Sequence, residues 1–339
     1  MSHWRDGLMM NDHGRPQGNL FNVLHALRHS PEWQGSLAYD EFNNRVLTLQ
    51  PPPWGGPAVE KWGNVEETSA CAWVQQQEIP AAAGTVGRAV QTVAAENHVH
   101  PVRDYLNGLI WDGTQRLDNW LTTYLDVEAT EYVAAIGPRF LISAVARIFQ
   151  PGCQVDHMLV LEGPQGRQKS TALRTLARTW FTDRLSPVGT KDSAIEVAGA
   201  WLIEMAELDA LTKATNSAIK SFVTRREDQF RPPYGKHLID QPRQCVFAGT
   251  INPVGGYLKD PMGARRFWPV ACGRIDLSSL ERNSNQLWAE AVFCYRAGTK
   301  WWLETPLAIN ARMLIFANLC HLHPRKLRSK NGSSKPPSN

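Results

Sequence analysis

The sequence predicts an α/β protein: a domain built on a central parallel sheet, preceded by a mainly helical N-terminal region. From residue 157 onward, short apolar runs alternate with helical patterns, as in successive βαβ units. At 163–170 a loop that opens on glycine and closes on Lys-Ser lies between one such run and one such helix. Upstream, from 66 to 150, apolar residues recur at spacings of three and four, the period of a helix.

Taken in order, the first segment, 1–65, holds one helical stretch, NLFNVLHALRHS, with Leu20, Val23, Leu24 and Leu27 on one face. SLAYDEF and RVLTL then read as short strands around the turn formers Asn43 and Asn44. QPPPWGGP at 50–57 admits no regular element and marks a boundary or an exposed loop. A helical domain over 66–152 follows, carried by TVGRAVQTVAAENH, RLDNWLTTYL and TEYVAAIGPRFLISAVARIF. The α/β domain is expected over 153–310, and a disordered basic tail over 320–339.

Bulk composition narrows the class. At 43% hydrophobic and 20% charged residues the chain suits a soluble globular protein. No unbroken apolar run of about 18 residues is present, so no membrane span or membrane partner is expected. The start lacks the build of a secretory signal, and the six cysteines have no metal or disulfide-framework spacing; both favour a cytoplasmic location. Cys320, His321 and His323 lack a fourth nearby ligand, which argues against a metal cluster. The net charge of +4 is concentrated: the last 19 residues carry five Lys or Arg and no acid, leaving −1 for the rest. Nucleic-acid contact by the folded body therefore needs a local patch.

The loop Gly163-Pro164-Gln165-Gly166-Arg167-Gln168-Lys169-Ser170-Thr171 departs from the usual phosphate-loop spelling at Gln168, where a second glycine is expected. The context suits phosphate binding, with the apolar run HMLVLEG before the loop and an amphipathic helix after it. Backbone N–H groups and the positive helix end would converge on a phosphate. Lys169 would supply charge to the β and γ oxygens, and Ser170 a magnesium ligand. Gln168 carries a β-carbon, so its backbone is expected in a region open to ordinary residues, with its side chain away from the phosphates.

Later segments add to this. GAWLIEMAELDAL runs from an apolar strand into Glu204, Glu207 and Asp209, acids placed to hold Mg²⁺ and to polarise a water; an acidic helix start would give the same pattern. QCVFAGTIN is a buried strand ending in a polar Thr-x-Asn, where Asn252 could orient the attacking water. GARRFWPV sets Arg265 and Arg266 before a strand, in a surface salt bridge or as an arginine finger.

These stretches, with HPVRDYLNGLIWDG, PGCQVDHMLVLEGPQG, RPPYGKHLIDQPRQCVFAGTIN and LWAEAVFCY, resemble the virulence-associated E family. That family is related to superfamily 3 helicases within the AAA+ ATPases, and the resemblance runs in order from about residue 15 to 305. It implies an AAA+-like P-loop core that uses ATP and Mg²⁺. Lys169 and Ser170 would be the phosphate and magnesium ligands, and Glu204 and Glu207 the metal-linked and water-activating acids. Asn252 would be the sensor, and Arg265 or Arg266 the finger acting across a subunit boundary. It also implies a ring, expected to be a hexamer, and a hairpin over 230–241 whose Lys236 and His237 touch single-stranded DNA. The implied activity is an ATP-dependent DNA motor of the replicative helicase type in a phage or mobile element. The rival reading is a nucleotide-binding regulator without motor activity, produced by loss of the loop glycine. A small-molecule kinase leaves Asn252, the hairpin and the paired arginines unexplained.

Overall fold

The structure, a computed structural model, describes residues 3–206, 213–230, 238–252 and 266–304. The chain divides into two compact units, Met1–Gly108 and Leu109–Asn339.

The first unit contains α1 (Leu20–His29), β1 (Leu37–Asp40), β2 (Arg45–Thr48), α2 (Asn64–Gln76), α3 (Ala83–Ala94), β3 (His98–Val99) and α4 (Pro101–Asn107). Strands β1 and β2 pair antiparallel about the Asn43-Asn44 turn, and β3 joins β1 in parallel, giving the order β2-β1-β3. Asp40 builds the turn: its buried carboxylate accepts the N–H groups of Phe42 and Asn43, each at 3.0 Å, and Asn44 closes it with φ 52°. Helices α2 and α3, read from the sequence as the start of a 66–152 helical domain, share one core with α1 and β1. Val74, Val86 and Val90 lie with Val23, Leu27 and Trp33 in the same buried cluster. Trp33 is fully buried, with the rings of Trp54, Trp62 and Trp73 at 5.7, 6.1 and 5.9 Å.

The second unit begins with α5 (Trp120–Leu125) and α6 (Glu131–Phe149), then runs β4 (Met158–Glu162), α7 (Lys169–Ala177), β5 (Phe181–Thr182), α8 (Lys191–Val197) and β6 (Leu202–Met205). It continues through α9 (Lys213–Val223), β7 (Glu227–Phe230), β8 (Ile239–Pro242), β9 (Val246–Ile251), β10 (Phe267–Ala271) and α10 (Leu277–Arg296). Five strands form a parallel sheet in the order β10-β4-β9-β6-β5, while β7 and β8 pair only with each other, antiparallel.

Both faces of the five-stranded sheet are covered, so β4, β6 and β9 read as apolar runs rather than as alternating patterns. On one face Met158, Val160, Ile203, Met205 and Phe247 pack with Val197 of α8 and Ile219, Phe222 and Val223 of α9. On the other face lie α6, α7 and α10. Trp201 donates its indole N–H to Ala144 O of α6 at 2.9 Å, and Trp288 donates to Leu176 O of α7 at 2.9 Å. Gly137 lets α6 approach α5, because a β-carbon there would come within 3.0 Å of Trp120 Nε1.

Helix α6 is a core helix of the second unit. It is long and apolar enough to cross a membrane by length and composition, with mean hydropathy 1.4, and 72% of that stretch is buried within the protein. The described cysteines are free thiols, and no metal-ligating cluster occurs among the described residues.

Candidate functional site

The order of the sheet creates a crevice. The strand after β4 is β5, at the far edge beyond β9 and β6, whereas the strand after β9 is β10, on the other side of β4. The chain thus leaves β4 and β9 in opposite directions, and α/β sheets bind ligands outside the carboxyl ends of strands at such a switch point. Glu162 and Ile251 face each other at these ends. A pocket of about 440 Å³ opens there, lined by the 165–171 loop, Ala206 from the end of β6, and Thr250, Ile251 and Asn252 from the end of β9.

The loop is shaped by three residues. The Gly163 N–H donates to Ile251 O at 3.2 Å, and a β-carbon at Gly163 would come within 3.3 Å of the Cys272 carbonyl oxygen. Gly166 adopts φ +83°, a conformation that strains any L side chain. Gln168, the residue that caps α7, adopts φ 61° and ψ 26°. The expectation that Gln168 keeps an ordinary backbone is therefore corrected. The chain must turn from the loop into the first turn of α7, and it does so through the left-handed region, where a residue with a β-carbon bears a cost of about 1–2 kcal/mol. The Gln168 side chain is exposed.

Lys169 is buried, and its Nζ donates to Gly163 O at 2.6 Å, Pro164 O at 3.0 Å and Asn252 Oδ1 at 3.4 Å. All three ammonium protons thus have acceptors, two in the loop and one at the end of β9. Burial lowers the Lys169 pKa from the usual lysine value, opposed by Cys272 and Glu204 nearby. Burial also pushes the Cys272 thiol up to about 12, so it is protonated at neutral pH.

Glu204 occupies the sheet face beneath α7 and is 2% exposed. Its Oε1 accepts hydrogen bonds from Ser170 Oγ at 2.7 Å and Thr250 Oγ1 at 2.5 Å. Its Oε2 is buried without a hydrogen-bond partner among the described residues. A buried carboxylate oxygen in that state is costly unless something further binds it. Two hydroxyls and a carboxylate make an all-oxygen donor set, the kind a hard divalent cation takes.

The structure therefore brings together the residues from Gly163 to Thr171 with Glu204 and Asn252. Arg266 is elsewhere: it immediately precedes Phe267, which pairs with Met158 at the amino end of the sheet, opposite the pocket. Its Nε is buried and without a partner among the described residues. Glu207, Arg265, Lys236 and His237 lie outside the described residues, as do Asp209 and the Cys320–His323 group. The residue that sequence reasoning left without a role is Thr250, which holds Glu204; the available signal was a hydroxyl within the otherwise apolar strand VFAGTI.

No curated protein matches this chain. Among solved structures it is similar to the A form apo structure of the NrS-1 C-terminal region, with TM-score 0.49 and 10% identity over 85% of this chain and 72% of that one. A second apo structure of the NrS-1 C-terminal region gives TM-score 0.46 and 12% identity, over 82% and 71%. The virulence-associated protein E-like domain model matches residues 106–314, which take in the whole five-stranded sheet and the pocket at its carboxyl edge, and the chain belongs to that family.

Proposed function

We propose that this protein is a P-loop ATPase of the AAA+ type that acts as a motor on single-stranded DNA, a replicative helicase-type enzyme of a phage or mobile element. The observation that carries the reading is the convergence of Lys169, Ser170, Glu204 and Asn252 at the switch point of a parallel sheet. Family membership and the position of the loop on a central strand support it.

In this reading the loop amides and the start of α7 receive the phosphates of ATP. Lys169 would supply charge to the β and γ oxygens, and Asn252 would orient the attacking water. Ser170 and Glu204 would hold Mg²⁺, which would supply charge neutralisation at the phosphates. The unpartnered Glu204 Oε2 and the oxygen-only donor set fit that ion. Glu207 shares the acidic role with Glu204. Arg266 or Arg265 serves the pocket of a neighbouring subunit, which supports a ring, expected to be a hexamer: Arg266 stands about 16 Å, by strand rise, from the carboxyl end of β10 in its own chain. Lys236 and His237, between β7 and β8 in the sequence, contact single-stranded DNA in this reading.

ATP turnover of the purified protein, measured with and without single-stranded DNA, tests this. DNA-stimulated hydrolysis that Lys236→Ala removes while basal turnover persists is the expected result. ATP binding without turnover would favour a nucleotide-binding regulator, and DNA binding lost only on deletion of 324–339 would assign the contact to the basic tail.

A further inference from the structure

The β7–β8 hairpin is not hydrogen-bonded into the five-stranded sheet. An isolated two-stranded ladder is marginal in water, so contacts with the rest of the domain have to hold it. One buried arginine contributes to this directly. Arg243 lies between β8 and β9, and its side chain is 0% exposed, rare for arginine unless it is paired. Its guanidinium grips Asp228 of β7 in a fork, Nε to Oδ2 at 2.5 Å and Nη2 to Oδ1 at 2.9 Å, and Nη1 donates to Phe222 O of α9. Its flat faces meet the rings of Phe222 at 4.4 Å and, in β9, Phe247 at 5.3 Å. Its main chain is tied as well: Arg243 N donates to Arg226 O at 2.8 Å, and Arg243 O accepts from Gly152 N at 2.9 Å.

A buried ion pair adds little stability over apolar side chains of the same volume, but in some proteins it selects one geometry where apolar packing tolerates several. Arg243 thereby links Asp228 of the hairpin to Phe247 of β9. Strand β9, which begins three residues after Arg243, carries Phe247 of the clamp and Thr250, and Asn252 follows its last residue; Thr250 and Asn252 touch Glu204 and Lys169 in the pocket. We propose that Arg243 and Asp228 are positioning residues that make the hairpin and β9 move as one body, linking events at the hairpin to events at the phosphate pocket. The inference rests on the ATPase reading above and adds the path of coupling.

The test uses full-length Asp228→Asn, which keeps the shape and one acceptor, and Arg243→Lys, which keeps the charge but loses the fork and the stacking. ATP turnover is titrated with an oligothymidylate, and thermal melts report folding. Basal turnover should stay near wild type while DNA stimulation falls at least about fivefold, the low end of ordinary coupling between two sites. Folded variants with wild-type stimulation would overturn the clamp and leave the ATPase reading intact. A wild-type protein that hydrolyses no ATP would instead remove that reading. Hydrogen exchange on the wild-type protein decides the matter if a variant does not fold. Adding Mg²⁺ and a slowly hydrolysed ATP analogue should change protection at 227–230 and 239–242 together with 246–251. A change confined to 246–251 overturns the inference.

Discussion

Replacing Gln168 with glycine isolates the strained position of the loop. The φ of 61° and ψ of 26° place a residue with a β-carbon in the left-handed region, at a cost of about 1–2 kcal/mol. Glycine removes that strain, but it adds freedom to the unfolded chain worth about 0.5–1 kcal/mol. The difference is a gain of zero to about 1.5 kcal/mol, or a rise in melting temperature of zero to about 5 °C for a domain of this size. Because the side chain is exposed and the loop amides are unchanged, ATP binding and hydrolysis should hold or rise. Gln168→Val is the matched control, since a β-branched residue tolerates this region worst, and it should lower both stability and ATP affinity. Calorimetry, ATP titration and turnover on the three proteins provide the assay. A glycine variant that melts several degrees lower, or that loses hydrolysis, would refute the reasoning and assign the glutamine side chain a role of its own.

Other outcomes follow from the pocket and the core. Glu204→Gln keeps the shape and an acceptor for Ser170 and Thr250 but removes the charge, so steady-state turnover should fall at least about 100-fold while ATP binding persists. Thr250→Val deletes one hydrogen bond to a charged acceptor, worth about 1.5 kcal/mol, and should slow hydrolysis about tenfold, with Thr250→Ser restoring it. His157 is buried, stacked on Trp268 with ring centroids 3.7 Å apart, and burial lowers its pKa to about 3. The unfolded chain takes up that proton near pH 6.5 and the folded protein does not, so stability is complete above that pH. It declines at up to about 1.4 kcal/mol per unit as pH falls toward 3, and His157→Phe should flatten the slope of denaturant midpoints against pH.

Local chemistry made much of this protein legible in its sequence. The alternation of apolar runs with helices after residue 157 signalled a parallel sheet, because strands covered on both faces cannot show a polar period. Asn43-Asn44 marked a hairpin, because those residues tolerate a left-handed turn. The spacing from Gly163 to Ser170 marked a loop between strand and helix, and GAWLIEM and QCVFAGTIN marked the strands that end at Met205 and Ile251, just before Ala206 and Asn252 of the pocket.

The tertiary structure decided what depends on residues far apart in the chain. Sheet order could not be read from strands of similar composition, yet it sets β4 beside β9 and so brings Lys169 to Asn252. The extent of the first unit depended on which helices share a core around Trp33. Thr250 acquired a role only when β9 lay against β6, with Glu204 on the same face. The pairing of Arg243 with Asp228 needed a hairpin to fold back over the residues between them. The backbone of Gln168 was decided last and from outside: the site where β4 ends and the site where α7 must start compel a left-handed turn, whatever residue stands there.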